Sequence, residues 1–301
     1  MLVTGAGSGI GKHLVICLAE RGVPVFAGAR KAEHLEMLGG MHGVTAVQLD
    51  VTRPEEVTAT ATAIRDSGHG LYGVVNNAGL GGLGPLVSWS EAEFQEMLNV
   101  NVHGPWRVTN ACLPQLLESR GRVVNIGSQG GLIAMGYYGP YTMTKHALEA
   151  YTLALRDELE PHGVRVSIVE PGGIVSEIGE KALDGTLARL ARAPEPFAEA
   201  THQLAEALQA PLPPPNNEPE SATNRKPSSP EIVWHAVEHA LYAPEPKRAY
   251  LVGTRWEGDR VLKALALRMA EANDSPSHGL PLEELLGIVR TQWAARTKDG
   301  S

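Results

Sequence analysis

"TGAGSGIG", Thr4 to Gly11, follows the apolar stub Met1 to Val3 and places glycine at positions 5, 7, 9 and 11. Glycine carries an entropic cost on folding, so a cluster marks backbone that must turn tightly or approach something closely. If the stub ends a strand and Ile10 onward begins a helix, the glycines occupy a strand-to-helix turn. That turn in an open α/β sheet receives a dinucleotide, with the pyrophosphate at the helix N-terminus. The spacing is T-G-x-x-x-G-x-G (Gly5, Gly9, Gly11) rather than G-x-G-x-x-G, because Ile10 stands in the sixth place. A tight structural turn is the plainer explanation of the same residues.

The rest of the chain decides the fold class. "PVFAGA" (24–29), "TAVQLD" (45–50), "GVVNNAG" (73–79), "GRVVNIGS" (121–128), "GVRVSIVEPG" (163–172) and "AYLVG" (249–253) read as strands, most of them nearly continuous in apolar residues. Such strands are covered on both faces. Between them, "KHLVICLAERG" and "KHALEAYTLALRDELEPHG" carry apolar residues at helical spacing and stop at Gly22 and Gly163. Alternation of this kind predicts an α/β, doubly wound parallel sheet of the Rossmann type, a single domain over 1–301. Two stretches depart from it. Residues 211–230 hold seven prolines and cannot be helix or inner strand. They belong to a substrate loop or insert over 179–231, partly disordered, with a helical segment around 187–210. After Pro276, "PLEELLGIVRTQWAART" predicts a C-terminal helical tail over 276–301 with a frayed end.

The 301 residues are 43% hydrophobic and 20% charged, with a net charge of −8. That charge argues against nucleic acid or an anionic membrane as the main partner. Only Cys17 and Cys112 occur, both in helical patterns, so a disulfide framework is not expected and a reducing, cytoplasmic compartment fits. No apolar run reaches spanning length, and no leader precedes the glycines. "HAVEH" (235–239) formally matches a zinc-peptidase pattern, yet no third ligand is apparent; it reads as partly exposed helix histidines, and no metal is expected.

Cofactor choice turns on the second strand. An NAD reader places a carboxylate about 20 residues beyond the glycines, whereas this strand ends Ala29-Arg30-Lys31. Two cations suit a 2′-phosphate, favouring NADP(H) over NAD(H); a solvated charged loop is the other explanation. Chemistry is suggested by "GSQGGLIAMGYYGPYTMTKHALEAY", in which Tyr141 and Lys145 stand one helical turn apart and Ser128 ends a strand. A phenol titrates near 10. A neighbouring ammonium and a cationic cofactor favour phenolate and bring Tyr141 into working range as an acid/base. Tyr137 and Tyr138 lack a cation four residues on.

The ordered motifs "TGAGSGIG", "NNAG" (76–79), "NVNVHG" (99–104), Ser128, Tyr141-x-x-x-Lys145 and "PGGIVS" (171–176) resemble the short-chain dehydrogenases/reductases across nearly the whole chain. The stretch around Tyr141 and "KRAYLVG" near Lys247 look most like the hydroxysteroid and retinol dehydrogenase branch. The resemblance implies a catalytic tetrad of Asn101, Ser128, Tyr141 and Lys145. Tyr141 is the acid/base, Ser128 the substrate-oxygen partner, Lys145 the ribose ligand, and Asn101 the anchor of a proton-relaying water. It implies cofactor contacts from Gly5, Ser8, Gly9, Ile10 and Gly11, from Arg30, and from Asn77, Ala78 and Gly79. It extends them to Asp50 and Val51 at the adenine, and to Pro171, Gly172, Ile174 and Ser176 at the nicotinamide, besides Tyr141 and Lys145. For Asp50 a strand-end cap is an equal alternative.

The expected function is hydride transfer between NADP(H) and a hydrophobic secondary alcohol or ketone, small-molecule chemistry in a homodimer or homotetramer. The alternatives are an inactive dinucleotide sensor and a 3-ketoacyl-type reductase. Two departures weigh against the pattern. Met1 to Val3 is short for a strand that is central in this family, so either it begins upstream or this edge of the site is weakened. Ser8 also stands where some NADP-preferring relatives are basic.

Overall fold

The apolar runs become strands in the computed structural model, which describes residues 1–210 and 218–298. They are β1 (Leu2–Val3), β2 (Val25–Ala29), β3 (Val44–Gln48), β4 (Gly73–Asn76), β5 (Arg122–Ile126), β6 (Arg165–Pro171) and β7 (Ala249–Val252). All pair in parallel, in the order β3-β2-β1-β4-β5-β6-β7. Short as it is, β1 is paired on both sides, Leu2 with Phe26 and Val74.

The helices are α1 (Gly9–Glu20), α2 (Ala32–Gly39), α3 (Pro54–Asp66), α4 (Glu91–Leu98), α5 (Gly104–Ser119) and α6 (Gly139–Leu159). They continue as α7 (Ile178–Ala191), α8 (Ala198–Gln209), α9 (Glu231–Tyr242), α10 (Arg255–Asn273) and α11 (Leu282–Lys298). Side chains alternate across the strands and feed two cores. Val3, Val75, Val124 and Val169 meet Leu14 and Leu18 of α1 and Val233, Val237 and Leu241 of α9. Leu2, Val74, Val123 and Val166 meet Val57 and Ile64 of α3 and Val108 and Leu116 of α5. The chain reverses its direction of winding between β1 and β4, so the crevice at their carboxyl ends is the expected ligand position. Gly22 (φ 72°) and Gly163 (φ 81°) take the left-handed conformation where the two amphipathic stretches were expected to stop.

Two expectations fall partly outside the described residues: disorder in the proline-rich excursion, at 211–217, and fraying of the tail, at 299–301. The remainder of the excursion is anchored. Ser228 donates from its N–H to the Gly173 carbonyl at 2.8 Å and accepts from the Val175 N–H at 2.9 Å, while Arg225 pairs with buried Glu257 at 2.6 Å. Helix α10 was not foreseen; it opens on a capping box between Thr254 and Glu257.

Glu170 of β6 is buried beside Glu149 of α6, next to a cavity of about 370 Å³. Burial and then Glu149 raise the Glu170 carboxyl above the ordinary carboxylate range, and burial raises Glu149 as well. The folded protein therefore holds a proton that the unfolded chain releases, and stability falls as pH rises from the ordinary carboxylate range to the raised value. Glu170→Gln is expected to flatten that decline between about pH 5 and pH 8. Melting temperature against pH checks it; an unchanged slope would show that the pair does not share a proton.

Candidate active site

The glycine turn is built to admit something bulky. Gly5 (φ 63°) and Gly9 (φ 51°) are left-handed. A Cβ at Gly11 would overlap the Gly5 carbonyl and the Asn77 amide. Ser8 is extended and its side chain does not cap α1, so the first N–H groups of that helix stay available to an anion. The floor is knitted by Thr4, whose hydroxyl accepts from the N–H groups of Asn77 and Ala78, both at 3.0 Å. The Asn77 amide donates to the Thr4 and Gly5 carbonyls at 3.0 and 3.2 Å. Asn77 thus ties the end of β4 to the turn. Ile10 packs against the core behind the turn.

Beyond β2, Arg30 is exposed and its guanidinium lies 3.6 Å from Asp50. Asp50 accepts from the N–H and hydroxyl of Thr52 at 2.9 and 2.7 Å, which is the strand-end cap. Burial works to raise its carboxyl, but the Thr52 bonds and Arg30 outweigh that and hold it below its ordinary value. Val51 is buried against Gly104.

Across the crevice, the chemistry-bearing side chains converge. Ser128 leaves the end of β5, accepts from the Gly130 N–H at 3.0 Å and hydrogen-bonds the Tyr141 phenol. A Cβ at Gly130 would lie 3.4 Å from both the Ser128 hydroxyl and the Tyr141 ring. Lys145, one turn along α6, stands 5.8 Å from the centre of that ring and donates to the Ile126 carbonyl at 2.9 Å. A Cβ at Gly79 would lie 3.5 Å from Asn101 Oδ1 and 3.9 Å from Lys145 Nζ, so the "NNAG" corner meets the tetrad.

Asn101 lies in a five-residue π-helical stretch, Asn99–His103. Its oxygen accepts from the Leu80 N–H at 2.7 Å, and its amide donates to the Leu80 carbonyl and the Thr144 hydroxyl, both at 3.0 Å. Both walls are joined at Ser176, 3.2 Å from where a Cβ of Gly9 would lie. Pro171 ends β6, the Gly172 N–H donates to the Val252 carbonyl, and Ile174 bridges to Ser228.

In the polypeptide's own groups, burial is the largest influence on the phenol. Burial raises the Tyr141 phenol above its ordinary value, with Ser128 opposing and Tyr138 adding to it. The ammonium is aimed at the Ile126 carbonyl, and burial lowers its own pKa to about 8. The sequence also missed neighbours. Lys181 of α7 hydrogen-bonds the Ser8 hydroxyl, and Thr144 holds Asn101. Thr4 was in view inside the glycine motif, but nothing local ties Lys181 to Ser8, 173 positions away.

The "HAVEH" histidines take separate roles on α9: His239 bonds the Tyr250 hydroxyl at 2.8 Å, whereas His235 lies 3.5 Å from Glu231 and 3.9 Å from Glu238.

Comparison with known proteins bears on this geometry. The family model described as short chain dehydrogenase matches residues 1–186. The chain belongs to the short-chain dehydrogenase family. An uncharacterized oxidoreductase of Escherichia coli K12, YbbO, is 40% identical over 176 residues, which span 58% of this chain and 65% of that protein. The match thus covers slightly less than two thirds of that relative's length. Human retinol dehydrogenase 5 is 35% identical over 266 residues, 84% of this chain and 80% of that protein, in accord with the branch its motifs resemble. A Burkholderia cenocepacia short chain dehydrogenase in complex with NADP superposes with a TM-score of 0.67 at 26% identity, covering 89% of this chain and 93% of the other. No described helix is long and apolar enough to cross a membrane.

Proposed function

We propose that this short-chain dehydrogenase is an NADP(H)-preferring oxidoreductase for hydrophobic secondary alcohols or their ketones. The observation that carries it is the meeting of Ser128, Tyr141 and Lys145 opposite a glycine turn whose cradle a single Cβ would fill. The donor set fits a dinucleotide. Gly5 to Gly11 and the start of α1 would hold the pyrophosphate, Arg30 a 2′-phosphate, and Asp50 and Val51 the adenine edge. Asn77 to Gly79 would floor the crevice, and Lys145, with Pro171 to Ser176, would hold the nicotinamide half. When bound, the cofactor supplies or accepts the hydride and, oxidised, a positive charge.

The chain's own side chains handle the proton and the oxygen. Ser128 accepts from the Gly130 N–H and turns its own hydrogen to the Pro171 carbonyl at 3.5 Å, a long bond that would give way to a substrate oxygen. Burial keeps the Tyr141 phenol protonated at neutral pH, the state needed to deliver a proton to a developing alkoxide. In the oxidative direction the same hydroxyl must lose that proton, and the Lys145 ammonium favours the phenolate. Asn101 braces the Leu80 loop against α6 through Thr144, and a relaying water is assigned to its neighbourhood. A hydrophobic substrate is supported by exposed Met135, Tyr138, Val175 and Ile178, which stand on the segments leading into Tyr141 and out of Ser176. A cytoplasmic homodimer or homotetramer completes the assignment.

The deciding experiment is NADPH consumption across a panel of hydrophobic ketones. Turnover with free ketones is expected; cofactor binding with no turnover on any of them would leave a dinucleotide sensor instead. Cofactor choice has its own test. Arg30→Asp removes a charge-assisted phosphate bond worth about 1.5–3 kcal/mol, so the preference for NADPH over NADH is expected to fall about 10- to 100-fold. An unchanged ratio of kcat/KM values would take Arg30 out of cofactor recognition.

A further inference from the structure

Behind the glycine turn, α1 presents His13 and Cys17 one turn apart, on the side that packs against α9. Glu231, the first residue of α9, faces them. His13 Nε2 lies 2.9 Å from Glu231 Oε2 and 3.5 Å from Cys17 Sγ, and the three donor atoms all fall within 4.8 Å of one another. On the open side, His235 places its Nε2 3.5 Å from the other Glu231 oxygen. The helices carrying these groups are fixed by buried Leu14, Leu18, Val233 and Val237.

A plain ion pair accounts for only part of this. The Nε2 atom of a histidine offers one hydrogen or one lone pair. It therefore cannot donate to the Glu231 carboxylate and accept from the Cys17 thiol at once. A single cation satisfies all three donors. Tetrahedral zinc, with metal–nitrogen and metal–sulfur bonds of about 2.05 and 2.3 Å, holds its nitrogen and sulfur ligands about 3.5 Å apart. That is the His13–Cys17 separation in the fold.

We propose that His13, Cys17 and Glu231 form a binding site for a borderline-soft divalent transition cation of the zinc class, clasping α1 to α9. Nitrogen, thiolate and carboxylate donors together suit such an ion and disfavour magnesium or calcium, which take oxygen. Burial, with Glu231 and Glu20 adding to it and Arg21 opposing, raises the Cys17 pKa, so the metal-free thiol is protonated. On binding, the Cys17 S–H bond breaks, a sulfur–metal bond forms, and the proton passes to solvent. The clasp has a mechanical consequence. α1 begins at the glycine turn, and Glu231 follows Ser228, which bridges Ile174 on the opposite wall. An ion here ties the two sides of the crevice from behind and takes no part in hydride transfer.

The test is a titration of the chelator-treated full chain with cobalt(II). One equivalent is expected to produce thiolate-to-cobalt charge-transfer absorption with release of a proton, and zinc is expected to bleach it. Cys17→Ser should abolish the band and Cys112→Ser should keep it, while His13→Ala should weaken binding at least about tenfold. Mass mapping of the unmodified chain is a second readout: zinc should shield Cys17 from alkylation. An absent band, a band surviving in Cys17→Ser, or alkylation of Cys17 indifferent to zinc would overturn the site.

Discussion

Tyr141→Phe is expected to lower kcat by about 10²- to 10⁴-fold while leaving the affinity for NADPH unchanged. The substitution removes one oxygen and keeps the ring, so packing in the crevice survives. Ser128 keeps its bond from the Gly130 N–H, and Lys145 keeps the Ile126 carbonyl. Loss of the bond between the two hydroxyls costs about 1 kcal/mol of stability, too little to unfold the domain. What disappears is the hydroxyl that both touches Ser128 and lies beside the ammonium of Lys145. The pH profile of the unaltered enzyme checks the same assignment. Because burial raises the phenol's pKa, ketone reduction should stay level through neutral pH and fall only in the alkaline range. Alcohol oxidation should rise over the same range. Steady-state kinetics in both directions, with cofactor binding measured separately, decides it; near-full activity in the variant would remove Tyr141 from proton transfer.

The alternation of apolar strands with amphipathic helices was legible because each signal is local. Continuous apolar runs mean strands covered on both faces, and Gly22 and Gly163 stop helices by taking φ values that other residues avoid. The glycine turn and the Tyr141–Lys145 pair were readable for the same reason: the residues that define each motif stand within a few positions of one another. What escaped depends on contacts far apart in sequence. Helix α10 buries little beyond Glu257 and Val261 and leaves Leu262, Leu265 and Leu267 exposed, so its apolar pattern does not announce a core-facing stripe. The polar chain running from Thr109 through Asn76 and Asn125 to Thr152 lies inside the sheet, where composition alone would place hydrocarbon. The surroundings of Tyr141 and Lys145 escaped as well. Spacing places Lys145 on the same helix face, but only the fold shows the ammonium turned to the Ile126 carbonyl and the phenol governed by burial.

Lys145→Met is expected to abolish turnover and, at neutral pH, to make the protein more stable. Lys145 is 7% exposed, and among the described residues no carboxylate forms an ion pair with it. Burial lowers its pKa from 10.5 to about 8, so at pH 7 the fold still carries the ammonium and bears its desolvation. That difference corresponds to about 3 kcal/mol. Between about pH 8 and pH 10.5 the unfolded chain binds the extra proton, so stability rises with pH across that window; below it the full cost remains. Methionine matches the length of the side chain without the charge. Against the gain stands the Ile126 carbonyl, left without its donor, at about 1–3 kcal/mol. The net expectation is a gain of about 1 kcal/mol at pH 7, a melting temperature higher by about 2–4 °C, and loss of the alkaline rise. Thermal unfolding of both proteins from neutral to alkaline pH measures all three. A variant less stable at pH 7 and still gaining stability up to pH 10 would mean that the buried ammonium is not costly. The strain assigned to this lysine would then lie elsewhere. If the gain appears together with lost turnover, the fold holds a charge in hydrocarbon that only catalysis requires, the usual form of a trade between stability and function.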